Sequence, residues 1–189
     1  MTETLARPGR YTMRDTNAVA REASRVITRH LKTHPDTILV KNVERDPFYQ
    51  QMDVDLVWRI KTHPYGIRNI RIEIKADRLD TTGNFFFETW SNREQGTVGC
   101  FLYTAAEYLY YYFVETGKLY ILPTEKVRLW FRQHMSEFVE RETTTTINGG
   151  LGHYTTVGRL VPIARVLAEV DGVEIYPLKL PVKKVKKAS

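Results

Sequence analysis

Apolar residues recur at helical spacing between the cap candidates Asp15 or Thr16 and about Lys32, with Val19, Ala23, Val26, Ile27 and Leu31 on one stripe. Glu22 lies at the margin of that stripe. There it either pairs with Arg25 or Arg21, or is carried by the packed helix to the edge of a sheet. The β-branched run TILVKNV predicts a first strand, and Glu44 to Gln51 a polar turn. Alternation is clearest in the next two segments. In DVDLVWRI, Val54, Leu56, Trp58 and Ile60 alternate with Asp53, Asp55, Val57 and Arg59. In RNIRIEIKAD, Ile70, Ile72, Ile74 and Ala76 alternate with Arg71, Glu73, Lys75 and Asp77. The connection between them, KTHPYGI, is short enough for an antiparallel hairpin that puts Asp55, Glu73 and Lys75 on one face.

Further along, FFFETW reads as a fourth strand that brings Glu88 near the same face, and Ser91 to Gly99 as a polar loop. Thr104 to Glu107 has the spacing of a capping box, and Gly117 suits a helix end, so AAEYLYYYFVE is expected to be a helix. Its aromatic cluster reads mainly as core, with base stacking by Tyr108 or Tyr111 as the alternative. KLYILP predicts a strand and TEKVRLWFRQHM an amphipathic helix. Glu140 to Gly152 is polar and Gly-rich, expected to be a flexible loop. HYTTVGRLVPIARVLAEV then gives one more strand and a turn or short helix. Residues 1–13 read as a loose arm, 14–176 as one domain, and 177–189 as a basic tail carrying Lys179, Lys183, Lys184, Lys186 and Lys187.

Composition narrows the classes. The 189 residues are 42% hydrophobic and 26% charged, an ordinary globular balance. Lys and Arg exceed Asp and Glu by 28 to 22, a formal charge of +6 that suits a polyanionic partner, nucleic acid before membrane. Cys100 is the single cysteine, which excludes an intramolecular disulfide and a thiolate zinc cluster. The histidines show no metal-ligand spacing, and no segment resembles a signal peptide or a membrane span, so a cytoplasmic protein is expected.

An aspartate, a glutamate and a lysine on one face of adjacent strands can hold a divalent ion and a water. Asp55 and Glu73 would be ligands, joined by the main-chain carbonyl of Ile74, with Asp53 and Glu88 in reserve. Lys75 would hold or deprotonate the attacking water, or stabilise developing charge. Glu22 could complete a second metal position or orient water. Oxygen ligands favour Mg²⁺, with Mn²⁺ as substitute. A Glu-x-Lys triplet alone more often marks a cross-strand ion pair.

The order of elements adds to it. A helix with Glu22, a strand, a strand with Asp55, a strand with Glu73-Ile74-Lys75, then a helix and a strand resembles the PD-(D/E)XK nuclease superfamily over roughly Asn17 to Pro123. The segments YQQMDVDLVW, RIEIKAD, FFFETW and YTAAEYLYYYF also look like its small phage or mobile-element members. The resemblance implies an α/β fold with a restriction-endonuclease-like core, a mixed central sheet flanked by helices, and Mg²⁺-dependent cleavage of DNA. The aspartate stands in DVD rather than Pro-Asp, so Asp53 competes with Asp55 for the ligand role. Asp55 is preferred because it continues directly into the buried strand.

In size and in the helix-borne glutamate the layout most resembles Holliday-junction resolvases, which implies a homodimer acting on branched DNA. A small chain without a visible sequence-reading module suits structure-selective cutting better than sequence-specific restriction. Two rivals remain: a non-catalytic nucleic-acid-binding module on the same fold, and a protein-interaction domain using an exposed aromatic helix from Tyr103 to Phe113.

Overall fold

A computed structural model describes residues 13–78, 80–147 and 152–178. In chain order these form α1 (Met13–Thr33), β1 (Thr37–Asn42), α2 (Pro47–Gln50), β2 (Leu56–Thr62), β3 (Gly66–Asp77), β4 (Asn84–Asn92), β5 (Thr97–Val98) and α3 (Cys100–Tyr103). They continue with β6 (Tyr108–Phe113), β7 (Lys118–Pro123), α4 (Thr124–His134), β8 (Val139–Ile147), β9 (Gly152–Pro162), α5 (Ile163–Glu169) and β10 (Glu174–Pro177). The N-terminal arm up to residue 12 and the tail lysines lie outside the described residues.

The architecture is α/β. A six-stranded mixed sheet runs β1-β2-β3-β6-β7-β10, with β3 and β6 parallel and every other neighbouring pair antiparallel. A four-stranded antiparallel sheet, β5-β4-β9-β8, stands apart from it. The expected hairpin of β2 and β3 is present, with Leu56 opposite Ile72 and Trp58 opposite Ile70.

Alternation along these strands sends side chains to two cores. Leu56, Ile70, Ile72, Tyr110, Tyr112, Leu119 and Ile121 meet Ala23, Val26, Ile27 and Leu31 of α1 on one face of the mixed sheet. Each large apolar side chain buried there is worth roughly 2 kcal/mol. Leu109, Tyr111, Phe113, Tyr120 and Leu122 point the other way, against Phe85 and Phe87 of β4, Phe101 of α3, and Val127 and Phe131 of α4.

Two expectations fail. The segment around YLYYYF is the central strand β6, not a helix. Buried on both faces, it shows no period of two, and its aromatic content favours the pleated backbone. Thr104, expected to cap that helix, accepts from the N–H of Ala106 at 3.0 Å and donates to the main-chain carbonyl of Asp53 at 2.6 Å. An interaction domain built on an exposed aromatic helix is therefore excluded, and Tyr111, at 0% exposure, is closed to base stacking. The second failure is Glu140 to Gly152. Residues up to Ile147 form β8, an outer strand whose threonines favour extended backbone without leaving an apolar pattern. Residues 148–151 lie outside the described set. The expected fourth strand is β4, which lies in the second sheet.

Candidate metal centre

β3 carries two of the site residues and fixes the rest. Glu107 N–H donates to Arg71 O at 2.9 Å, so the odd-numbered peptide groups of β3 face β6. Asp55 N–H donates to Ile72 O at 2.9 Å, and the Asp55 carboxylate accepts from Ile74 N–H at 2.8 Å. The even-numbered groups therefore face β2, and the Ile74 carbonyl leaves by the same edge as its N–H. Asp55, one residue before β2, is thus bonded to β3 on both sides of Glu73, through its own N–H to Ile72 O and through its carboxylate to Ile74 N–H.

Asp55 and Glu73 thus share a face, and it is the face turned toward β4 and α3. The charge of Asp55 bears directly on Glu73. Burial pushes Asp55 up to about 6, against the opposing pull of the Ile74 N–H. Burial, then the charges of Asp55 and Asp53, pushes Glu73 well above the usual carboxylate range. Glu73 is 8% exposed, and its Oε2 is buried with no hydrogen-bond partner.

Asp53 reaches the same place by another route. It precedes β2, in a turn with φ 52°, so strand alternation does not govern its side chain. The turn is held from outside the strand by Thr104, and by the Ala105 N–H donating to Met52 O at 2.8 Å. Asp53 Oδ2 is also buried without a partner, and burial raises this carboxyl as well. Asp53, Glu73 and Cys100 each offer a ligand atom, and these atoms lie within 4.8 Å of one another. Burying unpaired carboxylate oxygens is costly unless a cation or a proton compensates. The donor set therefore fits a divalent ion.

Lys75 and Glu88 form an ion pair that joins β3 to β4 across the gap between the sheets. Burial is the largest single effect and opposes the ammonium charge of Lys75, but the charge and hydrogen bond of Glu88, with the charges of Cys100 and Asp77, together hold the lysine above its ordinary value. Glu22 is not drawn into this group. It pairs with Arg25 at 2.6 Å on α1, the helix that packs on the opposite face of the sheet.

Cys100 was not anticipated as a site residue. No local spacing signals it, because its proximity arises when α3 docks on β4. Glu44 is a second unanticipated neighbour, raising the Asp55 carboxyl by its charge from the loop after β1. Among the described residues, no helix is long and apolar enough to cross a membrane.

Compared with family models, curated proteins and solved structures, the chain matches none.

Proposed function

We propose that this protein is a metal-dependent endonuclease that hydrolyses DNA phosphodiester bonds, on a restriction-endonuclease-like core. The observation that carries the reading is the buried Glu73 carboxylate with an unpartnered oxygen, flanked by Asp53 and Asp55 and two residues from Lys75. The mixed sheet, with α1 on one face and the acidic group on the other, is consistent with that core.

Glu73 with Asp55 or Asp53 would hold Mg²⁺, or Mn²⁺ in its place, and the Ile74 carbonyl leaves β3 by the Asp55 edge. The bound ion supplies water activation and positive charge for a phosphate oxygen. Lys75, kept cationic by Glu88, is the group suited to the charge that develops on the phosphate oxygens. Asp55, bonded to the Ile74 N–H, ties the start of β2 to the middle of β3 and so fixes Glu73 relative to Lys75.

A polyanionic substrate is supported by α1. Arg21, Arg25, Arg29 and Lys32 line one shallow groove with Asn42 and Glu44. Such a row can contact successive phosphates without reading bases. Structure-selective cutting by a homodimer is the proposed subtype, on the resemblance to junction resolvases. Cleavage of linear duplex, single strand, flap and four-way junction in Mg²⁺ tests it. Paired cuts confined to the junction support the subtype. Equal cutting of all four removes the subtype, and binding without cutting any of them leaves a nucleic-acid-binding module instead.

A further inference from the structure

Cys100 stands inside the acidic pocket, with its sulfur among the Asp53 and Glu73 oxygens. Its position is set by backbone packing. A Cβ at Gly99 would lie 2.3 Å from Glu88 O, so only glycine lets the start of α3 press against β4 there. The Gly99 N–H donates to Thr89 O at 2.9 Å, and Cys100 O accepts from Thr104 N–H at 2.9 Å. Independently of the thiol, the pocket holds two buried carboxylate oxygens without partners, Glu73 Oε2 and Asp53 Oδ2.

A purely carboxylate pocket selects hard ions, whereas a thiolate donor favours softer ones. Ligands bonded at about 2.0–2.3 Å sit roughly 3–4 Å apart, so a spread of up to 4.8 Å closes onto an ion with a movement of about 1 Å. We infer that Cys100 is a third donor of this pocket, so that Asp53, Glu73 and Cys100 together take a thiophilic divalent ion of the Zn²⁺, Cd²⁺ or Co²⁺ type, in competition with Mg²⁺ at Glu73. The inference rests on reading the acidic pocket as a metal site. On binding, the S–H bond breaks, a sulfur–metal bond forms, and the thiol proton leaves to solvent together with any proton held by the ligating carboxyl groups.

Co²⁺ is the probe, because thiolate ligation gives a near-ultraviolet charge-transfer band that oxygen ligation lacks. Titration of the full chain under anaerobic conditions should produce that band in the wild type. It should be absent in Cys100→Ser and weakened at least tenfold in affinity in Glu73→Gln, and excess Mg²⁺ should reduce it. Co²⁺ that binds without a thiolate band overturns the role of Cys100 and leaves the metal site standing. A band unchanged in Glu73→Gln also overturns it, since the thiol would then be acting elsewhere. If neither Co²⁺ nor Mn²⁺ binds the wild type, the inference and the metal reading fall together.

Discussion

The ammonium of Lys75 is ion-paired with the Glu88 carboxylate, and this pair is a direct polar link between the mixed sheet and the second sheet. The side chains are 25% and 15% exposed, so most of their hydration has been given up. Removing one partner leaves a largely desolvated charge. Lys75→Ala and Glu88→Ala should each destabilise by about 2 kcal/mol, with the double variant losing at least 1 kcal/mol less than the sum. A urea double-mutant cycle reads this directly, and strict additivity would mean the pair contributes no coupling.

Stability without metal should fall as pH rises. Asp55 is raised to about 6 from an ordinary 3.8, and Glu73 is raised as well, chiefly by burial. Between those values the folded state binds more protons than the unfolded one, so the unfolding free energy declines with pH from about 4 through 6. For Asp55 alone the loss is on the order of 2–3 kcal/mol, complete above its folded value. Urea unfolding in EDTA across this range should show the decline. Asp55→Asn and Glu73→Gln should flatten it and be the more stable proteins at pH 7. Added Mg²⁺ should raise the melting temperature of the wild type and leave that of Glu73→Gln unchanged. A profile that is flat in the wild type would contradict the buried acidic group.

How much of this was legible depends on what each segment faces. Leu56 to Ile60 and Ile70 to Ala76 were readable as strands because one face packs on α1 and the other carries charge. From that alternation, the meeting of Asp55 with Glu73 followed, as did Lys75 on the same face. Asp53 arrives from a turn, so its place beside Glu73 could not be obtained from the period of a strand. Tyr108 to Phe113 misled because both faces are buried, leaving a continuous apolar run beside a Thr-x-x-Glu pattern that imitates a helix start. In the fold, Glu107 of that pattern pairs with Arg68, while the Thr104 hydroxyl goes to Asp53. Thr143 to Thr145 carry no apolar alternation, so β8 was invisible. Glu88, expected from FFFETW to come near this face, does so by pairing with Lys75, whereas Cys100 meets the site through docking of α3, which local sequence does not record.

Thr104 is the hinge of the Asp53 turn. Its hydroxyl, 2% exposed as a residue, serves Asp53 O and Ala106 N–H together. Thr104→Val keeps the shape and removes both bonds, and should cost about 1–2 kcal/mol. It should also weaken Mn²⁺ binding several-fold by isothermal titration, since Asp53 loses its support. An unchanged affinity would show that Asp53 needs no such support, or that it is not a ligand.

Gly99→Ala tests the docking of α3. The added methyl meets Glu88 O at 2.3 Å, and backbone cannot yield as a side-chain tip can. A loss of about 2 kcal/mol is expected by chemical denaturation. A neutral result would mean that α3 is not packed tightly against β4 at this position.

Hydrolysis of DNA at Glu73 and Lys75 is read by nicking of supercoiled plasmid. Wild type, Glu73→Gln and Lys75→Ala should be compared in Mg²⁺, in Mn²⁺ and in EDTA, with folding confirmed for each by circular dichroism. The wild type should nick in either metal and not in EDTA, and both variants should lose at least a hundredfold. Nicking that persists in EDTA, or that survives in folded Glu73→Gln, would contradict metal-dependent hydrolysis at this site.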